Sequence, residues 1–214
     1  MRMIQKLYRK YYIKIFPNYR KELKKVVEDA ESLLDVGCGN DSPIGSFSQN
    51  LYCVGVDAFK PSIKKSKEKN IHDKYYNIDV LDISKQFESG SFDVVLASDL
   101  IEHLEKKDGN KLINKMEKIA KKKVIILTPN GFLKQGEFDN NPWQVHKSGW
   151  SIEEMESKGY EVIGINGWKP LRGEYGYPTI KPKFIGAFMS NISQIFVRNK
   201  PEKAFAILCI KTKD

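Results

Sequence analysis

Short apolar runs alternate with lysine-rich stretches of helical periodicity along most of this 214-residue chain, and this alternation restricts the fold more than any other feature. The helical spacing is clearest in 111–122, where Leu112, Ile113, Met116 and Ile119 share a face. Alternation of this kind is typical of a parallel sheet covered by helices on both faces. The sequence therefore predicts one doubly wound α/β domain. The predicted strands are 32–36, 52–56, 75–78, 92–97, 124–127, 160–165 and 204–211.

Both ends of the chain depart from this alternation. Residues 3–16 have the spacing of an amphipathic helix, Pro17-Asn18 breaks it, and a second helix is predicted over 23–30. We therefore divide the chain into an N-terminal helical cap segment, 1–30, and the α/β domain, 31–214. Between the last two strands lies an insertion, about 168–203, with helically spaced apolar residues and no acid among them. These residues are Phe184, Ile185, Phe188, Met189, Ile192 and Phe196.

The net charge of +9 is concentrated at the two ends. Residues 1–25 contain nine Lys and Arg against one acid, and residues 168–214 contain nine against three, whereas the middle is slightly acidic. Basic segments interleaved with aromatic residues favour an anionic partner. Solvated faces of lysine-rich helices would account for the same composition equally well.

Cysteine use and hydropathy bear on the compartment. Cys38, Cys53 and Cys209 form no C-x-x-C pair, and the last two lie in apolar strand-like runs, which predicts buried thiols. No run approaches the ~18 apolar residues that span a bilayer, and the first ten residues do not resemble a secretory signal. A cytoplasmic location is expected.

The strongest local signal is a glycine-rich turn followed by acids at the ends of the next two strands. Residues 33–40 read LLDVGCGN, so that an apolar strand runs directly into a tight turn containing Gly37 and Gly39. Asp57 ends the second predicted strand and Asp79 ends the third. Ligands of open α/β sheets bind at the carboxyl ends of the strands, and a carboxylate there can accept hydrogen bonds from ribose hydroxyls.

Two cofactors could use such a turn. A dinucleotide site requires a third glycine at position 42, where this chain has Ser42, and Asp41 would repel a pyrophosphate. S-adenosylmethionine has no phosphate and carries a positively charged sulfonium, which suits an acidic pocket. The residues therefore favour S-adenosylmethionine over NAD.

The segment 35–39, DVGCG, resembles motif I of class I S-adenosylmethionine-dependent methyltransferases, and 100–104, LIEHL, resembles the type 11 group. Asp57 falls where that family places its ribose-binding acid, and Asp79-Val80 where it places the adenine contact. The resemblance covers about 31–167 and implies a seven-stranded, mostly parallel sheet with an antiparallel last strand. It implies cofactor contacts from Asp35, Gly37, Cys38, Gly39, Asn40, Asp57, Ala58, Asp79, Val80, Ser98 and Asp99.

The histidines are the candidate catalytic groups. His146 lies in the loop after the fifth strand and could take a proton from an acceptor hydroxyl, although it could instead anchor that loop. His103 is expected beside the methionine end of the donor, with a base or a cofactor-shaping role. His72 follows a lysine-rich helix and is expected to be solvated. No metal-ligand spacing is recognised, so no metal is expected.

The predicted function is methyl transfer to a small, sugar- or lipid-linked acceptor, at oxygen. The N-terminal segment and the 168–203 insertion are expected to form a lid over that acceptor, which could be anionic, and helix 3–16 could contact a membrane surface. Asn141-Pro142-Trp143 resembles an amino-methyltransferase motif but follows the fifth strand instead of the fourth. The alternatives are a non-catalytic module of the same fold and a methyltransferase acting on nucleic acid or protein.

Overall fold

The computed structural model describes residues 19–137 and 141–213. Seven strands form a single sheet in the order β3-β2-β1-β4-β5-β7-β6. The strands are β1 Ser32–Val36, β2 Tyr52–Val56, β3 Lys74–Tyr76, β4 Phe92–Ser98, β5 Ala120–Pro129, β6 Glu161–Trp168 and β7 Ala204–Thr212. The helices are α1 Tyr19–Val26, α2 Lys60–Glu68, α3 Ile83–Gln86, α4 Lys106–Ile119, α5 Ile152–Ser157 and α6 Lys183–Val197. The predicted helix 3–16 lies outside the described residues.

The strand directions confirm the predicted fold class. β1 to β5 pair in parallel, and β7 lies antiparallel between β5 and β6. Apolar cores cover both faces of the sheet, one centred on α4 and the other on α1. The predicted bounds of β1 and β2 are correct. β5 begins four residues earlier than predicted, because Lys121–Lys123 interrupt the apolar run while their backbone still joins the sheet.

Strand order reverses between β1 and β4, which are adjacent in the sheet although β2 and β3 follow β1 along the chain. The connections from these strands leave in opposite directions and open a crevice at their carboxyl ends. Val36 pairs with Ala97 at this edge of the sheet. The glycine turn after β1 and the segment after β4 therefore face each other across the crevice.

The insertion between β6 and β7 contains α6, which packs closely on β6. A side chain at Gly164 would meet the carbonyl oxygen of Val197 at 2.1 Å, and one at Gly167 would meet that of Ser190 at the same distance. The buried Gln194 side chain donates to the Gly164 carbonyl at 2.9 Å and accepts from the Gly167 N–H at 3.1 Å. The inner face of α6 is therefore fixed by backbone contact, while Phe184, Ile195 and Phe196 are exposed on its outer face.

The predicted burial of Cys53 and Cys209 can be compared with the described chain. All three cysteines are buried free thiols, as predicted for Cys53 and Cys209. Ser151 caps α5 by accepting from the Glu154 N–H. Within the described residues, no helix combines the length and apolar character needed to cross a membrane.

Candidate functional site

The turn after β1 is held open by glycine conformations and by Asp57. Gly37 and Gly39 have φ of 70° and 57°, in the left-handed region that favours glycine. Asp57 follows β2, and its carboxylate accepts from the Gly39 N–H at 2.9 Å and from the Phe59 N–H at 2.7 Å. A side chain at Gly39 would meet nothing within 4 Å, so the turn borders open space.

That space is a cavity of about 200 Å³ at the carboxyl edge of β1, β2 and β4, which we call the first cavity. Its lining includes seven of the predicted cofactor residues. These are Gly37, Gly39, Asp57, Ala58, Asp79, Val80 and Asp99.

The first cavity is acidic. Its described lining includes one lysine, Lys147, against five acids, which are Asp57, Asp79, Asp99, Glu105 and Asp108. Desolvation raises the pKa of the Asp57 carboxyl, although the two N–H donors oppose that shift. This lining would repel a pyrophosphate and attract a cationic sulfonium, and the open space beside Gly39 admits a ligand to the backbone. The residues present therefore fit S-adenosylmethionine.

Four predicted cofactor residues, Asp35, Cys38, Asn40 and Ser98, do not line this cavity. Asp35 is 1% exposed, and its carboxylate faces the opposite way, accepting from Ser42 Oγ at 2.5 Å and contacting His72 Nε2 at 2.9 Å. Asp35 thus supports the turn from behind. The expectation that His72 is solvated is wrong, because this contact and that with Ser66 Oγ place the ring in the interior.

A second cavity, of about 460 Å³, adjoins the first and shares Asp99, His103 and Gln144 with it. Its other walls come from the segment after β5 and from the insertion, which contributes Arg172, Tyr175, Tyr177 and Asn191. The two cavities therefore meet at the segment after β4. Asp99 stands at this junction with a φ of 49°, a conformation that Asp tolerates better than most residues.

The second cavity contains a cluster that the sequence did not suggest. Ligand-type atoms of Glu102, His103 and His146 lie within 4.8 Å of one another, and all three residues are buried. The imidazole rings of the two histidines meet edge to face, with centroids 4.7 Å apart. His103 and His146 are 43 positions apart in the sequence, so no local spacing could have indicated the pair.

The loop from 141 to 150 brings His146 to His103. The N–H groups of Lys147 and Ser148 donate to the Glu102 carbonyl at 2.8 and 3.1 Å. Ser148 Oγ donates to the Ile101 carbonyl at 3.2 Å. Trp150 is fully buried against α4, where a side chain at Gly109 would meet its ring at 2.5 Å. The loop is thus fixed to both ends of the segment that carries Glu102.

Hydrogen bonds orient the three side chains of the cluster. Nδ1 of His146 lies 2.6 Å from the Leu133 carbonyl oxygen, and Nδ1 of His103 lies 3.3 Å from that of Val145. A ring nitrogen that faces a carbonyl must carry the proton, so we assign the lone pair of the His146 ring to Nε2. Glu102 Oε2 accepts from Thr128 Oγ1 at 2.9 Å, which fixes the carboxylate.

Burial dominates the electrostatics of the cluster. It lowers the pKa of His103 to about 4 and that of His146 below its ordinary value, so both rings are neutral at pH 7. Burial raises the pKa of Glu102, and the negative charge of Asp99 raises it further. The Asp99 side chain is open to the cavities, yet the protein around it raises its pKa to about 6.

Comparison with known proteins agrees with these features. Residues 34–128 match the family model described as a methyltransferase domain, of type 11. A search of curated protein sequences finds no match. A SAM-dependent methyltransferase from Archaeoglobus fulgidus superposes with a TM-score of 0.57 and 18% identity, over 91% of this chain and 94% of that one.

Two further solved structures show the same fold. The small RNA methyltransferase HEN1 gives a TM-score of 0.57 and 18% identity over 91% of this chain and 24% of its own. The plantazolicin methyltransferase BpumL in complex with SAH superposes with a TM-score of 0.53 and 15% identity, over 91% of this chain and 81% of that one. The family match over 34–128, the sheet order and the acidic cavity beside the glycine turn together identify an S-adenosylmethionine-dependent methyltransferase domain of type 11 in this part of the chain.

Proposed function

We propose that this enzyme transfers a methyl group to a hydroxyl oxygen of a small polar acceptor bound in the second cavity. The observation that carries the proposal is the junction of the two cavities at Asp99 and His103, with Glu102 and His146 on the acceptor side. Hydroxyl groups are weak nucleophiles and need help to lose their proton, whereas amines need little. A cluster of buried proton acceptors beside the donor cavity therefore favours an oxygen acceptor.

The first cavity would hold the donor through residues already in place. Asp57 presents its carboxylate to the ribose hydroxyls, while Asp79 and Val80 lie where the adenine is expected. Gly37 and Gly39 let the methionine portion approach the backbone. When bound, S-adenosylmethionine supplies a methyl group on a positively charged sulfur, so the protein mainly has to provide proximity and orientation.

The second cavity suits an uncharged, hydroxylated molecule. Its described lining carries Asp99 and Glu102 against one arginine, Arg172, together with the aromatic faces of Tyr19, Tyr175 and Tyr177. Arg172 is engaged with Ser190 Oγ and the Gly176 carbonyl, which ties the insertion together. Tyrosine faces beside polar groups are well suited to a sugar ring or similar polyol. The insertion 168–203 would then act as the acceptor lid.

The test is methyl transfer from radiolabelled S-adenosylmethionine to a panel of acceptors. The panel contains polyols and glycosides, lipid-linked sugars, and short RNA oligonucleotides. We expect label in the hydroxylated small molecules, and the label should be stable to mild base, as an ether is and an ester is not. Tyr177→Ala, at the acceptor wall, should raise the KM for the acceptor while leaving S-adenosylhomocysteine affinity unchanged.

Two other outcomes would contradict the proposal. Label confined to RNA would favour the nucleic-acid alternative, for which the net charge of +9 and the fold shared with HEN1 are the supporting observations. Binding of S-adenosylhomocysteine without transfer to any acceptor would favour a non-catalytic module. Peripheral membrane contact through the N-terminal segment stays a prediction, tested by sedimentation with anionic vesicles.

A further inference from the structure

We propose that Glu102, His103 and His146 bind a divalent transition-metal cation at the junction of the two cavities. The three side chains offer two imidazole nitrogens and a carboxylate oxygen within 4.8 Å of one another. Two histidines and one carboxylate on one side of an ion are a recurrent ligand set for Zn²⁺ and Fe²⁺ in proteins, and they leave further positions for water or substrate.

Hydrogen bonds behind the cluster orient its ligand groups. Nδ1 of His146 bonds to the Leu133 carbonyl, so Nε2 of that ring keeps its lone pair. Thr128 Oγ1 donates to Oε2 of Glu102 and fixes the direction of the carboxylate. Partners of this kind, behind the coordinating groups, are what fixes ligand orientation in metal sites.

The acidity of the site also favours a cation. Glu102 is 2% exposed, and Asp99 lines the same cavity. A buried carboxylate without a cationic partner is costly, and a bound divalent ion would offset both negative charges. The neutral histidines add ligand atoms without adding charge.

The position of the site suggests its use. Asp99 and His103 line both cavities, whereas Glu102 and His146 face the acceptor side. A cation there would bind acceptor oxygens and lower the pKa of a coordinated hydroxyl, whose proton would pass to water. This use rests on the proposed function, whereas metal binding itself does not. With the ion bound, the two histidines serve as its ligands and the ion activates the hydroxyl; without the ion, the histidines remain the proton acceptors of the proposed function.

The experiment uses the full-length enzyme after treatment with a chelator. Co²⁺ is titrated while the visible absorption is recorded, and Zn²⁺ and Mn²⁺ are titrated by calorimetry. We expect one ion per chain. His146→Gln and Glu102→Gln should each weaken Co²⁺ binding at least tenfold. Glu153→Gln, which removes an exposed acid outside the cluster and outside the lining of both cavities, should leave Co²⁺ affinity unchanged.

Folding and cofactor binding are measured on the same samples. Each variant should keep the circular dichroism spectrum and the S-adenosylhomocysteine affinity of the wild type. If one variant fails to fold, the other carries the comparison. Absence of Co²⁺, Zn²⁺ and Mn²⁺ binding by the folded wild type at ~1 mM, or equal binding by wild type and cluster variants, would overturn the proposal.

Methyl transfer separates this proposal from the proposed function. If the wild type binds Co²⁺ but methylates no hydroxyl acceptor, the metal site stands and the oxygen acceptor is wrong. If the chelated enzyme methylates a hydroxyl acceptor at the full rate, the metal has no role in transfer and the proposed function stands alone.

Discussion

At the scale of single residues, Asp57 lies between the glycine turn and the first cavity. Its carboxylate holds the Gly39 and Phe59 N–H groups, and burial raises its pKa above the ordinary 3.8. Ribose hydroxyls donate to the ionised form, so binding favours the deprotonated carboxylate. As pH falls toward the raised pKa, S-adenosylhomocysteine affinity should drop, beginning at a higher pH than for an ordinary aspartate. Calorimetric titration with S-adenosylhomocysteine at a series of pH values from about 8 to about 5 measures this fall in affinity.

Asp57→Asn is the control for that titration. The amide cannot change its charge, so the variant should bind at least tenfold more weakly at pH 7.5 and show a flatter pH profile, since hydrogen bonds to a charged group are worth about 1.5–3 kcal/mol. Asp82→Asn replaces an exposed acid paired with Lys85 and should bind as the wild type does. Equal pH profiles for wild type and Asp57→Asn would assign the effect to another group.

Gly37 and Gly39 differ in what an added methyl group would meet. At Gly37 it would lie 2.7 Å from Leu100 Cδ1, so Gly37→Ala combines backbone strain with overpacking and should lower the free energy of unfolding by about 2–4 kcal/mol. At Gly39 it would extend into open space, so Gly39→Ala should cost about 1–2 kcal/mol. Chemical denaturation compares the two.

Cofactor affinity distinguishes Gly39 from other strained glycines. The methyl group of Gly39→Ala would occupy the first cavity, so S-adenosylhomocysteine binding should weaken roughly tenfold. Gly90 has a similar φ of 65° but lies beside Lys121, outside that cavity. Gly90→Ala should therefore lose similar stability without losing affinity, and a loss of affinity there would mean that strain itself impairs binding.

At the scale of elements, α4 and the loop 141–150 depend on one close contact. Glycine within a helix normally costs about 0.5–1 kcal/mol relative to alanine, so Gly→Ala usually stabilises. At Gly109 the new methyl group would meet Trp150 Cζ2 at 2.5 Å. We expect Gly109→Ala to lower the free energy of unfolding by about 1–3 kcal/mol, measured by denaturant titration. The exposed substitution Lys107→Ala should change it by less than about 0.5 kcal/mol.

The same loop shows how much depends on element packing. His146 reaches His103 because Lys147 and Ser148 bond to Glu102 and Trp150 is inserted against α4. If Gly109→Ala stabilises the protein, the Trp150 ring moves readily to accommodate the added methyl group. The geometry of the cluster of Glu102, His103 and His146 would then not be rigid.

At the scale of the whole molecule, the cofactor should stabilise the fold. A ligand at 100 times its Kd that binds only the folded state adds about 2.7 kcal/mol. For a chain of this size that corresponds to a rise in Tm of roughly 5–10 °C. Differential scanning calorimetry with S-adenosylhomocysteine measures it. The Asp57→Asn variant at the same ligand concentration should show a smaller rise, and an unchanged wild-type Tm would contradict the assigned cavity.

Local sequence was sufficient for the sheet and the donor turn. β1 and β2 are short, continuous apolar runs, because strands buried on both faces have no polar alternation, and their ends are marked by Gly37 and Asp57. The spacing of glycines and acids along the chain was therefore enough to locate the first cavity. The same reasoning misplaced Asp35 and His72, since the direction of a side chain at a strand end depends on which neighbours pack beneath it.

Tertiary structure alone decided the second cavity and its cluster. Glu102 and His103 are adjacent, but His146 joins them through a loop whose path follows from backbone hydrogen bonds and the burial of Trp150. The periodicity of apolar residues indicates which residues of one helix or strand share a face. This cluster is formed by residues of two different connections, one after β4 and one after β5, so periodicity could not indicate it. The sequence by itself thus determined the fold and the donor, and the packing of loops on the finished sheet determined the second cavity and brought Glu102, His103 and His146 together.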